Sequence, residues 1–181
     1  MKMKMKIYHG TNWKWSGEEG DTFWADPMFF CTDNFEVARF YGAMRAIEQV
    51  MNEGIDTEEA RFYVYEFEVE IDDNRLYSFS DRERRWIYTR WIDEYLRRND
   101  LLEKIQWVHI RHDEIQASRR KNTLLEALDM TYGNVEMSIL VEELFESLPI
   151  HSNEYVCVDP KMDLIPTRVH EFRLSNIKEE I

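Results

Sequence analysis

The chain has 181 residues, a net charge of −13 and a pI of about 4.9. That balance opposes binding driven by counterion release from DNA or RNA and suits a basic partner. The hydrophobic share is 44%, rich in Trp, Tyr and Phe, which is enough for one aromatic core. No apolar run approaches the ~18 residues of a membrane-crossing helix, and the opening Met/Lys alternation does not read as a leader. The expectation is a protein of the cytoplasm, its own cell's or a host's, without a membrane partner. Cys31 and Cys157 each sit in an apolar run and read as two buried thiols rather than a disulfide.

In chain order, residues 1–9 alternate with period two. Met1, Met3, Met5, Ile7 and His9 share one face, and Lys2, Lys4, Lys6 and Tyr8 the other. This predicts an amphipathic strand. His9 ends the apolar row, where a polar group must be partnered or line a cleft. Gly10 lets the backbone turn and lets something approach closely. Trp13, Trp15, Gly17, Gly20 and Trp24, spaced by Gly and acidic residues, predict a loop closed by Pro27. Residues 28–32 read as a short buried strand. Asp33 or Asn34 then opens a helix, Asp33-x-x-Glu36 having the capping-box form. Val37, Ala38, Tyr41, Met44, Ile47 and Met51 keep helical spacing, with Tyr41 in the apolar stripe, and Gly54 ends it.

Residues 61–71 form the clearest strand, with Tyr63, Tyr65, Phe67, Val69 and Ile71 on one face and Glu66, Glu68 and Glu70 on a wet one. Asp72-Asp73-Asn74 is a turn and 76–79 a short strand. Ser80-x-x-Glu83 is a second capping box, opening a charged helix to about residue 99. Residues 101–148 read as mostly helix, broken near Asn122 and at Gly133-Asn134. The cations Arg82, Arg84, Arg85, Arg90, Arg97 and Arg98, and then Arg119, Arg120 and Lys121, read as solvated helical faces. His109 and His112 fall i,i+3 on this helix, read as surface residues, and give no metal-ligand set. Pro149 ends the helical block. Residues 154–158 form a strand turned by Asp159-Pro160, another covers 164–174, and the tail 178–181 frays. The order predicts one α+β domain over 1–181, with a largely helical insertion at 80–150 between two sheet segments.

Glu154 starts its strand on the same face as Val156 and Val158, so it too is a polar group ending an apolar row. Three segments then stand out together: His9-Gly10-Thr11; Met28-Phe29-Phe30-Cys31-Thr32-Asp33 followed by Ala38-Arg39-Phe40-Tyr41; and Asn153-Glu154-Tyr155-Val156-Cys157-Val158-Asp159-Pro160. In this order they resemble the His-Tyr-Glu signature of ADP-ribosyltransferases of the diphtheria-toxin and poly(ADP-ribose) polymerase class. The strand 63–71 with Asn74-Arg75-Leu76 is similar to the middle of phage- and toxin-associated members. The chain departs from the class in having Phe at the strand tyrosine, Phe29 or Phe30, and no Gly before it. A Phe ring keeps the stacking face.

The resemblance implies split antiparallel sheets, NAD as substrate and no metal. It implies that His9 bonds an NAD ribose hydroxyl, that the Gly10 backbone holds the nicotinamide carboxamide and that Thr11 adds a hydroxyl. Phe29 or Phe30 and Tyr41 would sandwich the nicotinamide ring, and Glu154 would bond the ribose 2′-hydroxyl. The expected activity is mono-ADP-ribosyl transfer to a protein, for which the acidic surface suits a basic acceptor; nucleic acid is the less favoured acceptor. Ser152, two positions before Glu154, leans away from arginine as the linkage residue. The alternatives are an NAD glycohydrolase and a catalytically inactive binding module of the same fold.

Overall fold

The alternating N-terminus becomes strand β1 (Lys2–Thr11), paired antiparallel along its whole length with β3 (Arg61–Asp72). The structure, a computed structural model, describes residues 1–18, 23, 28–80, 94, 96–98, 100–101, 103–112, 121–122, 135–149, 151–158 and 164–181. The second capping box, the cations at 82–90, 119 and 120, and the Asp159-Pro160 turn lie outside those residues. The other strands are β2 (Phe29–Thr32), β4 (Leu76–Ser80), β5 (Trp107–His112), β6 (Ser152–Cys157), β7 (Arg168–Arg173) and β8 (Asn176–Glu180); among the described residues the two long helices are α1 (Phe35–Glu53) and α2 (Val135–Glu146). The fold is α+β, built on one eight-stranded sheet of order β4-β5-β6-β2-β1-β3-β7-β8. All neighbours are antiparallel except β4 and β5, which run parallel. Its two four-stranded halves meet at β1 and β2, where Tyr8↔Thr32 is the one register pair.

On one sheet face α1 and α2 cover β1, β3 and β7, burying Ala38, Met44, Ile47, Phe62, Val141 and Phe172 among others. Under β4 to β6 the same face carries a smaller cluster of Phe79, Val108, Ile110 and Val156. The opposite face is aromatic: Ile7, Phe29, Tyr65, Phe67 and Trp107 pack there, with Trp13 and Trp15 of the irregular segment laid over them. The core-facing row of β1 begins only at Met5, since Met1 and Met3 stay exposed. The other row is not simply solvated, because Tyr8 packs under α1 against Phe35.

Helix α1 starts at the cap Asn34, not Asp33. The Asn34 side-chain oxygen accepts from the Val37 N–H at 3.1 Å, while Asp33 accepts instead from Asn153. Gly54 ends the helix at φ 68°, its N–H donating to the Val50 carbonyl. Asn34→Ala is expected to cost about 1 kcal/mol, read as a lower urea midpoint at unchanged slope. A midpoint equal to wild type would show that the cap contributes nothing.

Three expectations are corrected. Residues 107–112, expected as helix, form β5 inside the sheet, with Trp107, Val108, Ile110 and His112 buried, His109 half-buried and Arg111 exposed. His109 and His112 are therefore on opposite faces of a strand rather than one side of a helix. The C-terminal tail does not fray: β8 pairs with β7, Ile177 is buried, and the Ile181 N–H donates to the Glu171 carbonyl. The acidic face of β3 is wet only at Glu68 and Glu70; Glu66 is enclosed between His170 and Lys6. Burial works against the Glu66 carboxylate, but hydrogen bonds from those two partners hold its pKa below the ordinary value. Cys31 and Cys157 are buried thiols that form no disulfide, and burial pushes the Cys31 thiol well up.

Candidate active site

Glu154 does not start its strand as expected, since β6 begins two residues earlier at Ser152; it is in register with Thr32 of β2, and Thr32 is in register with Tyr8 of β1. Two interstrand steps put the Glu154 and Tyr8 backbones roughly 10 Å apart. Side chains in one lateral row share a face. Glu154, Thr32 and Tyr8 thus face the helical side, and Phe30, next but one to Thr32, joins them. The Glu154 side chain is 26% exposed, and its Oε2 lies 3.5 Å from Nε2 of the buried His112. The sequence reading missed this neighbour because it placed His112 on a helix.

Phe29 and Phe30 separate cleanly. Phe29 is fully buried in the aromatic layer against Phe23 and Phe67. Phe30 is half-buried, on Glu154's face, which leaves it as the ring able to meet a ligand there. Tyr41 is half-buried and packs in the α1 core, edge-on to Phe40. Phe30 and Tyr41 thus belong to neighbouring clusters on one sheet face. Thr11 is buried at the end of β1, opposite Tyr63.

His9 alternates away from Glu154. It lies on the aromatic side, 4.8 Å from the Phe29 ring and 6.3 Å from Phe23 between centroids. Its Nδ1 is 2.6 Å from the Phe30 carbonyl, across the β1–β2 seam. A carbonyl only accepts, so Nδ1 carries the proton and Nε2 is the acceptor of the ring. The pairing of β1 with β2 is a single residue wide, and the imidazole makes the next link itself. Burial, with a smaller contribution from the Arg45 charge, lowers the His9 pKa to about 4, so the ring is neutral at pH 7.

A depressed histidine pKa means that the unfolded chain binds the proton more tightly between pH 6.5 and 4. Stability therefore falls as pH falls through that window, by about 3 kcal/mol in total. His9→Gln is expected to flatten this segment of the stability–pH curve. The measurement is urea unfolding at pH 7 and at pH 4.5; equal pH slopes for the two proteins would remove His9 as the source.

Gly10 has a structural partner. A Cβ built there would lie 1.8 Å from the Ala38 carbonyl oxygen and 2.9 Å from the Gly42 nitrogen, both in α1. What approaches Gly10 closely is this helix. Among the described residues no group of three or more His, Cys, Asp and Glu side chains is placed to hold a metal ion, and no helix is long and apolar enough to cross a membrane.

The order of strands therefore brings β1, β2 and β6 side by side. Glu154, Thr32, Tyr8 and Phe30 share one face, and His9 reaches the same seam from the other. No family model matches this chain, and neither a curated protein nor a solved structure matches it.

Proposed function

We propose that the chain is an NAD-dependent mono-ADP-ribosyltransferase, moving ADP-ribose to a protein acceptor and releasing nicotinamide. The observation that carries this reading is the adjacency of the three motif segments: the ends of β1, β2 and β6 are consecutive in the sheet, with Glu154 in row with Thr32 and Tyr8. The narrow junction between the two half-sheets suits the split-sheet form of the transferase class.

In this reading Glu154 bonds the 2′-hydroxyl of the nicotinamide ribose. Breaking the ribose–nicotinamide bond develops positive charge on the sugar, as in glycoside cleavage. A fixed carboxylate beside that charge favours the transition state over the ground state. Phe30 supplies one ring face for nicotinamide and Tyr41 the other. His9, neutral and with Nε2 as acceptor, takes a ribose hydroxyl at the seam. Gly10 is closed off by α1 and Thr11 is buried on the aromatic side, so neither has a ligand contact on the Glu154 face in this reading.

The test is labelled NAD incubated with a host-cell lysate and either wild type or Glu154→Gln, resolved on a gel. A labelled protein band is expected with wild type alone, and equal bands would remove Glu154 from the chemistry. NAD incubated with the protein by itself separates transfer from hydrolysis, since accumulation of free ADP-ribose marks a glycohydrolase. A second reading, a binding module without turnover, is favoured by the aromatic packing around His9 and the missing tyrosine hydroxyl at Phe30. Calorimetry decides it: no heat on adding NAD supports the module and overturns the transferase.

A further inference from the structure

We propose a second reactive centre on the sheet face opposite Glu154, with Ser78 as a nucleophile toward activated acyl esters. Ser78 of β4 is in register with His109 of β5, and His109 with Tyr155 of β6. The Ser78 Oγ lies 2.7 Å from His109 Nδ1, and His109 Nε2 lies 2.8 Å from Asn153 Oδ1. The Asn153 amide nitrogen in turn donates to Asp33 Oδ2 at 3.1 Å. The His109 ring is stacked on Tyr155, centroids 4.7 Å apart and planes 16° off parallel.

The chemistry of the chain of contacts fixes its protons. An ionised carboxylate only accepts, so the NH₂ of Asn153 faces Asp33 and its carbonyl oxygen faces the imidazole. That oxygen also only accepts, so Nε2 carries the proton. In its uncharged form the ring then presents a lone pair at Nδ1, to which the Ser78 hydroxyl donates. A hydroxyl within hydrogen-bond reach of a base that a third group orients is the arrangement that activates serine and cysteine nucleophiles. Tyr155 holds the ring plane, and Ser78 is exposed, so an acyl donor can reach its oxygen.

The relay supplies a nucleophile and its base. It therefore fits acyl donors whose leaving groups depart without taking a proton, namely aryl esters and thioesters. The Oγ–acyl carbon bond forms as the bond from that carbon to the aryl oxygen or sulfur breaks, and the leaving group departs as an anion with the electron pair. The serine proton passes to Nδ1 and from there to solvent, where the exposed site lets it exchange, so the ring is again neutral with its lone pair at Nδ1. Water then attacks the acyl-serine, giving one proton to Nδ1, the carboxylic acid leaves, and Oγ recovers its proton from the ring. None of the four residues has a role in the NAD reading, so the two proposals stand or fall separately.

The experiment is incubation of the full chain with p-nitrophenyl acetate, following p-nitrophenolate release and mapping acetylated peptides by mass spectrometry. Acetyl is expected on Ser78 in wild type, with release slowed about 10²-fold in Ser78→Ala and in His109→Gln. Asn153→Asp keeps an acceptor for Nε2–H and is expected to retain labelling, whereas Asn153→Ala lowers it. Acetyl found only on lysines or on other hydroxyls of the wild type overturns the proposal, and that result needs no variant to fold. Equal release by wild type and a folded His109→Gln overturns it as well.

Discussion

Glu154→Gln is expected to lower ADP-ribosyl transfer about 10²–10³-fold, the loss seen when one preorganised electrostatic group is removed. The substitution keeps the shape and a carbonyl oxygen for the ribose hydroxyl. In the proposed mechanism it removes only the negative charge that would meet the developing sugar cation. The effect should therefore fall on kcat, with KM for NAD little changed, because ground-state binding retains its hydrogen bond. Stability should stay within about 0.5 kcal/mol, since Glu154 is partly exposed and its nearest described ionisable neighbour is the single imidazole of His112. Hydrolysis of NAD without acceptor should fall by the same factor, because both reactions share the bond-breaking step. A variant with raised KM and intact kcat would place Glu154 in binding rather than in catalysis.

Local pattern was enough for the first half of the fold. The period-two rows of β1 and β3 and the helical stripe of α1 each carry their signal within a dozen or so residues and appear where the spacing puts them, except that β1 runs on through Gly10 to Thr11 where a turn was expected. The residues that went astray are those whose state depends on distant partners. Trp107 packs in the aromatic layer while Val108 and Ile110 pack in the cluster on the other face, so the run is apolar to both sides; a short run of that kind has no period to separate strand from helix. Residues 176–180 alternate only weakly, because β8 is a sheet edge that buries little but Ile177. Asp33 and Asn34 are equally good caps in isolation. The contact with Asn153, 120 residues away, takes Asp33 out of the choice.

The site follows the same division. The motif text named His9, Phe30 and Glu154, and sheet order makes their strands neighbours. Which of Phe29 and Phe30 shares the face of Glu154 could not be read from two adjacent identical side chains; register with β6 puts Phe30 on that side. The His112–Glu154 approach joins two strands, and the Ser78–His109–Asn153–Asp33 relay joins three strands and the turn before α1, so nothing in the spacing announces them. His9 shows a compromise. It sits in the apolar row that periodicity assigned to it, yet its Nδ1 turns to the seam to satisfy the demand that a buried polar group be partnered.

Gly10→Ala is expected to destabilise the fold by roughly 4 kcal/mol, among the largest losses a single substitution produces. The added methyl would meet the Ala38 carbonyl oxygen at 1.8 Å and its carbon at 2.7 Å. Both belong to the backbone of α1, so no side chain can swing aside; the whole helix must lift. Lifting it loosens Ala38, Met44 and Ile47 from Phe62 and Val64, the packing that holds α1 to the sheet. Gly42→Ala is the informative contrast. Its Cβ would find Phe62 Cδ2 at 3.1 Å and the Thr11 nitrogen and Tyr63 oxygen at 3.3 Å, which is tight but adjustable. Crowding there costs about 1–3 kcal/mol, and the gain of Ala over Gly within a helix returns about 1 kcal/mol, leaving a net loss near 1 kcal/mol. Urea unfolding of both variants measures the difference, and a Gly10→Ala midpoint at or above that of Gly42→Ala would mean that α1 does not press on β1 at this point. The same contact bears on catalysis. Loss of NAD turnover in a Gly10 variant can come from the displaced helix, which carries Tyr41, with no carboxamide bond lost. Turnover at Gly10 therefore has meaning only beside a stability measurement, and Glu154, whose replacement leaves the packing intact, is the position where rate alone reports on the chemistry.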